Sequence, residues 1–184
     1  MIRRTFLAAA LVTRAGPALA QIEFGTLKPI VKAVREGDDE KVRQALLKGE
    51  NPNQIDSNGQ PLLMVAVMSG QLAVVDSLLK GGAVADATDR EGYTSLIRAA
   101  EKGDVDISDL LLKRHAKTTA QTRQGVTPLM VAARLGHAEV VRLLLERKAN
   151  PNTPDFTGRT ALTYARQNNR TTIEAMLRKA GGRE

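Results

Sequence analysis

The chain contains no cysteine and no tryptophan, and only three phenylalanines and two tyrosines among its 184 residues. Without thiols there can be no disulfide, no thiolate metal site, no cysteine nucleophile and no lipidated N-terminal cysteine. With aromatics at 3%, the interior must be filled by small and medium aliphatic side chains, which favours close helix-on-helix packing over a β-sandwich. Long apolar runs are missing too, since no stretch reaches the roughly 18 to 20 apolar residues that a membrane span needs. Hydrophobic residues nevertheless make up 42%, enough for one packed domain and against global disorder.

Residues 1–20 read as an address. Arg3 and Arg4 precede the apolar run 6–12 (FLAAALV), and the segment ends at Ala18, Leu19 and Ala20. Charged, apolar and small-residue regions in that order predict a cleavable secretory signal, cut between Ala20 and Gln21. A first helix of the domain is the weaker reading, because Gly16 and Pro17 would break it. Residues 3–7 (RRTFL), with Arg14 after the apolar run, are similar to a twin-arginine signal, and the general secretory route stays open. Both routes point to a bacterial periplasm, with residues 21–184 as the mature domain.

The remainder repeats with a period of 33 residues and no gaps. Residues 61–67 (PLLMVAV), 94–100 (TSLIRAA), 127–133 (TPLMVAA) and 160–165 (TALTYA) begin successive units, and 28–33 (KPIVKA) falls in the same register. Gly37, Gly70, Gly103 and Gly136 follow, then valine or isoleucine and a leucine cluster such as 143–145. Leu129, Ala132 and Ala133, then Val140, Val141, Leu144 and Leu145, recur at helical spacing, so each unit is expected to be two short helices joined at the glycine. Between units stand residues 56–59 (DSNG), 89–92 (DREG), 122–125 (TRQG) and 155–158 (DFTG), all turn compositions. Such a unit cannot bury its apolar face alone and must stack on its neighbours.

On these residues the chain resembles the ankyrin-repeat family. The 127–152 stretch, from Thr127-Pro128-Leu129 through Gly136-His137 to Asn150-Pro151-Asn152, carries the likeness almost throughout. The resemblance implies an all-α solenoid of helix-turn-helix units with projecting β-turns: repeats at about 28–60, 61–93, 94–126 and 127–159, with a truncated cap at 160–182. Met64, Ile97 and Met130 stand where the family usually has histidine, so a reduced helix-start hydrogen-bond network is expected. Residues 113–117 (KRHAK) replace the usual glycine-containing exit, which makes the third unit the expected least regular one.

Convergent catalytic groups are missing from the pattern. His137 occupies a repeat position beside Gly136, where a structural hydrogen bond is expected, and His115 falls in a loop; two isolated histidines give no metal-ligand spacing. The acidic stretches 36–40 and 104–106 lie at the starts of second helices, where carboxylates meet the positive helix end. No motif implies a cofactor or a bound metal, and the chain is read as non-enzymatic.

The family resemblance implies protein binding through the inner helices and projecting turns. By aligned position this selects Met68, Arg90, Tyr93, Lys102, Arg123, Val126, Arg134, Leu135, Phe156 and Arg159. Tyr93 and Phe156 would anchor a partner, while Arg123, Arg134 and Arg159 would steer it. Charge is polarised along the chain: residues 21–112 carry 10 basic and 15 acidic side chains, and residues 113–184 carry 14 and 5. An acidic patch on a protein partner is therefore expected to meet the C-terminal units, with anionic envelope components as the alternative ligand. Nucleic acid is disfavoured by the absence of a dedicated motif and by the export signal. The chain is expected to act as a monomer.

Overall fold

The computed structural model describes residues 28–183. The expected signal at 1–20 and its cleavage point lie outside the described residues. Ten helices occur among the described residues, in five pairs: α1 (Pro29–Glu36) with α2 (Asp39–Leu47), α3 (Leu62–Met68) with α4 (Leu72–Lys80), α5 (Ser95–Lys102) with α6 (Val105–Lys113), α7 (Pro128–Leu135) with α8 (Ala138–Glu146), and α9 (Ala161–Gln167) with α10 (Thr171–Lys179). The odd-numbered helices stack on one another as an inner row and the even-numbered ones as an outer row. Between pairs the chain projects as tight turns, here called fingers one to four, at 56–59, 89–92, 122–125 and 155–158. Antiparallel bridges Ile55 to Pro61 and Thr88 to Thr94 close the first two. None of the described helices is long and apolar enough to cross a membrane.

Helices of seven to nine residues are too short to persist alone, so stacking must hold them. One inner register carries Ile30, Leu63, Leu96, Leu129 and Leu162, all at most 2% exposed. Another carries Ala33, Ala66, Ala99, Ala132 and Ala165, equally buried, and alanine there lets neighbouring inner helices approach closely. Leu78, Leu111, Leu144 and Leu177 fill the matching outer register, each fully buried.

Local signals set the helix ends. The Thr94, Thr127 and Thr160 hydroxyls accept the amides of Ile97, Met130 and Thr163. The reduced network expected from the missing histidines is partly rebuilt by other side chains. Met130 Sδ accepts the Thr127 amide at 3.4 Å, and Thr163 Oγ1 accepts that of Thr160 at 3.3 Å. Asp38 and Asp104 accept the amides of Lys41 and Ile107 at the starts of α2 and α6, which accounts for a residue of each acidic stretch.

The expectation that the third unit is the least regular is corrected. Its outer helix α6 spans nine residues, as α4 and α8 do. The exit position is left-handed in every unit: Gly49, Gly82, His115, Lys148 and Gly181 have φ of 84, 90, 64, 61 and 83°. His115 tolerates this because the surrounding bonds are those of the glycine exits. Its amide donates to Leu112 O, and Ala116, 6% exposed, donates to Leu111 O, as Gly82 and Ala83 do to Leu79 and Leu78. The left-handed penalty of about 1 to 2 kcal/mol for a residue with Cβ is absorbed by that packing.

Candidate functional site

Each finger is held by one side-chain oxygen at its base. Asp56 Oδ1 accepts the amides of Asn58 and Gln60, Asp89 Oδ1 those of Glu91 and Tyr93, and Asp155 Oδ1 those of Thr157 and Arg159. In finger three the Thr122 hydroxyl does the same for Gln124 and Val126. All four anchors are buried, and the local carboxylate or hydroxyl closes a turn that backbone alone would leave open.

The second carboxylate oxygen is what distinguishes the fingers. Asp89 Oδ2 receives Arg98 at 3.0 Å, and Asp155 Oδ2 receives the Tyr164 hydroxyl at 2.7 Å together with Arg159 Nε at 3.1 Å. Asp56, whose register partner is Val65, is met instead by Arg35 of the preceding inner helix at 3.1 Å. Thr122 has no second oxygen, and its register partner is Val131. At a spacing of nine the sequence reads Asp with Arg and Asp with Tyr where the two side chains meet, and Asp with Val and Thr with Val where they do not, a distinction that aligning whole units does not bring out.

Burial acts to raise the Asp155 carboxyl, but the Thr157 and Tyr164 hydroxyls and the amides of Arg159 and Thr157 outweigh it and hold this group well below the usual carboxylate range. Burial also opposes ionisation of Asp56, where the amides of Gln60 and Asn58 and the Arg35 guanidinium prevail and lower it. Burial and the neighbouring Asp155 raise the Tyr164 hydroxyl.

Neighbouring units are tied together along the helix ends. The carbonyls of Met68, Glu101 and Arg134, in the second, third and fourth units, meet Lys102 Nζ at 2.6 Å, His137 Nε2 at 3.0 Å and Arg170 Nε at 3.3 Å. His137 thus serves as a structural hydrogen-bonding residue, and His115 is an exposed exit residue. Finger tips are tied as well. The Arg123 amide donates to Glu91 O at 3.0 Å and the Phe156 amide to Gln124 O at 3.1 Å.

The ten expected binding residues differ in how far they are already engaged. Tyr93 lies half-buried beneath the Arg98 guanidinium, 3.6 Å from its ring centroid. Val126 is half-buried against the core, Lys102 is committed to the Met68 carbonyl, and Arg159 to Asp155. Arg90 lies across the Gly59 turn, where a Cβ would stand 3.1 Å from its Nε. Met68, at 41% exposure, Leu135, at 37%, and Phe156, at 74%, present apolar surface to solvent. The Phe156 ring is seated over Gly125, where a Cβ would come within 2.7 Å of it, so only glycine admits this seat. Arg123 is exposed and Arg134 half-buried, and neither forms an ion pair among the described residues. Gln124 and Gly125, which the aligned turn already places on the projecting face, position Phe156 through a carbonyl and an absent side chain, roles that residue type alone does not reveal.

No curated protein matches the chain. A family model described as ankyrin repeats in three copies matches residues 30–122 and again 115–183. With both matches spanning nearly all of the stacked helix pairs just described, the chain belongs to the ankyrin-repeat family, whose repeats generally mediate protein–protein interactions.

Proposed function

We propose that this protein works in the bacterial periplasm as a non-enzymatic recognition module, holding a partner protein as its scaffold, regulator or protector. The observation that carries the reading is Phe156: a largely exposed aromatic, tied by its backbone bond to Gln124 and seated on Gly125, on the finger row that leads into the stacked inner helices. Exposed aromatics held in place before a partner arrives suit the anchor role, because little conformational freedom is then lost on binding. Residues 1–20 support export, and N-terminal sequencing of the periplasmic form should begin at Gln21; retained Met1 would reject this address.

The chain from Gln21 serves as bait for capture from a periplasmic extract, with circular dichroism checking each variant for folding. Phe156→Ala is expected to weaken the captured complex by about 2 kcal/mol or more, as loss of an interface hot spot does, while Arg142→Gln on the outer row leaves it unchanged. Equal affinity with and without the Phe156 ring overturns the placement. The excess of 14 basic over 5 acidic side chains in residues 113–184 favours a second reading, attraction to anionic envelope components. In that case vesicles of anionic lipid compete for the chain and salt abolishes binding.

A further inference from the structure

Finger two and the helix behind it neutralise their own charge. Arg98 pairs with Asp89 and Glu101, each at 3.0 Å, and stacks on Tyr93. One unit later the aligned positions are Thr122 for Asp89, Val131 for Arg98, Arg134 for Glu101 and Val126 for Tyr93. Both carboxylates have gone, and a cation stands where one of them was. Arg134 and the finger-tip Arg123 have no ion pair among the described residues. Lys102, which caps the Met68 carbonyl, is replaced by Leu135, 37% exposed. The next finger brings Phe156 against Gly125 of finger three. Arg134 meanwhile acts electrostatically on Tyr164, whose hydroxyl is bonded to Asp155, the residue before Phe156. Two cations and two apolar side chains thus stand on the third finger, α7 and the fourth finger, where the unit before carries charge that is paired internally.

Resting on the protein-recognition reading above, we propose that Arg123, Arg134, Leu135 and Phe156 form a docking site for an acidic polypeptide segment bearing an apolar side chain. The segment's carboxylates pair with Arg123 and Arg134, and its apolar side chains meet Leu135 or Phe156. The bias of residues 113–184 towards basic side chains draws such a segment to this end of the solenoid. A half-buried guanidinium favours a discrete, bidentate carboxylate partner. The interleaved Leu135 and Phe156 offer apolar contact that a phosphate polymer has no group to fill.

The test uses the chain from Gln21 and three short dye-labelled peptides, built of Glu-Glu-Leu, Gln-Gln-Leu and Glu-Glu-Ser repeats, with phosphatidylglycerol vesicles as a fourth probe. Fluorescence anisotropy is expected to show binding of the Glu-Glu-Leu peptide, at least tenfold weaker binding of the other two, and at least tenfold weakening by Arg123→Gln with Arg134→Gln. Arg142→Gln should leave binding unchanged. Amide chemical-shift changes in the unsubstituted protein should centre on residues 122–125, 134–135 and 155–158. No peptide binding, binding indifferent to the paired substitution, equal binding of the glutamine peptide, shifts centred on the outer helices, or binding of the vesicles alone each overturns the proposal. A captured partner that depends on Phe156 but docks through a segment without carboxylates overturns it while leaving protein recognition standing. Peptide binding without any captured protein does the reverse.

Discussion

Along the interior, aligned positions carry Ile30, Leu63, Leu96, Leu129 and Leu162, while along the finger tips they carry Ser57, Arg90, Arg123 and Phe156. Both rows repeat at the same spacing and belong to the same units. An interior side chain is packed by the unit before and the unit after, so only a matching volume fits. A finger tip is held by its backbone and by the oxygen of the residue before it, which leaves its own side chain free to be serine, arginine or phenylalanine. In this molecule the oxygen that holds each finger and the side chain that its tip displays therefore belong to neighbouring residues.

The sharpest way to break this comparison lies in the interior. Leu144 is fully buried in α8, between α6 and α10, and Leu144→Ala should cost about 2 to 5 kcal/mol, the range for large-to-small core changes. Because the core is shared between units, amide exchange should quicken in α6 and α10 as well as in α8. A loss below about 1 kcal/mol in urea unfolding, or exchange confined to α8, would show that the units do not share their core.

That contrast also explains what could be read before the structure. The period, the helix pairs and the glycine joints were legible because each depends on residue type at a fixed spacing. The exit at His115 departs from residue preference because the buried Ala116 and its backbone bonds impose the left-handed position. The expected binding face was legible only as a set of aligned positions. Alignment gives no partner for a side chain, so it could not reveal that Tyr93 lies under Arg98, or that Lys102 reaches the carbonyl of Met68 a full unit earlier.

Two glycines bring the comparison down to single joints. Gly82 has φ 90° and open space where a Cβ would stand, so Gly82→Ala should cost only the left-handed penalty of about 1 to 2 kcal/mol. Gly103 has φ 72°, and a Cβ there would overlap the His137 imidazole. Gly103→Ala must therefore also displace the bond from His137 to the Glu101 carbonyl, about 1 kcal/mol more. Equal losses in thermal unfolding would mean that His137 ties no units together, whereas in a His137→Ala background, where the bond is already absent, Gly103→Ala should cost no more than Gly82→Ala.

Fingers three and four separate by pH. Asp155→Asn keeps an acceptor for the turn but discharges a carboxylate bonded by Tyr164 and Arg159, at a cost of about 1 to 2 kcal/mol at neutral pH. The native carboxyl is held below its unfolded value, so its contribution is complete above that value, about 3.9, and fades as pH falls towards the native one. The urea midpoint of the unsubstituted chain should accordingly drop as the pH falls below about 4, and less steeply in Asp155→Asn. Thr122→Val, which removes an anchor without a titrating group, should shift the whole profile by about 1 kcal/mol without changing its slope. Identical slopes in Asp155→Asn and the unsubstituted chain would remove Asp155 from the acid response.

The outer row offers the smallest effect, because its ties between units are made in water. Arg147 at the end of α8 reaches Asp109 of α6 at 2.7 Å, and Arg114 reaches Asp76 of α4 at 3.2 Å, the same joint one unit earlier. Their side chains are about a third exposed, and Asp109 is also held by Lys113 at 2.6 Å. When the arginine leaves, that lysine and solvent still satisfy the carboxylate, so no buried charge is stranded. Arg147→Gln should therefore cost less than about 1 kcal/mol, as exposed ion pairs do, and the loss should shrink further in high salt. A cost of about 2 kcal/mol or more that salt does not diminish would show that the outer row, too, is held by desolvated charge, and that the division between a packed interior and a freely varying surface fails on this side of the solenoid.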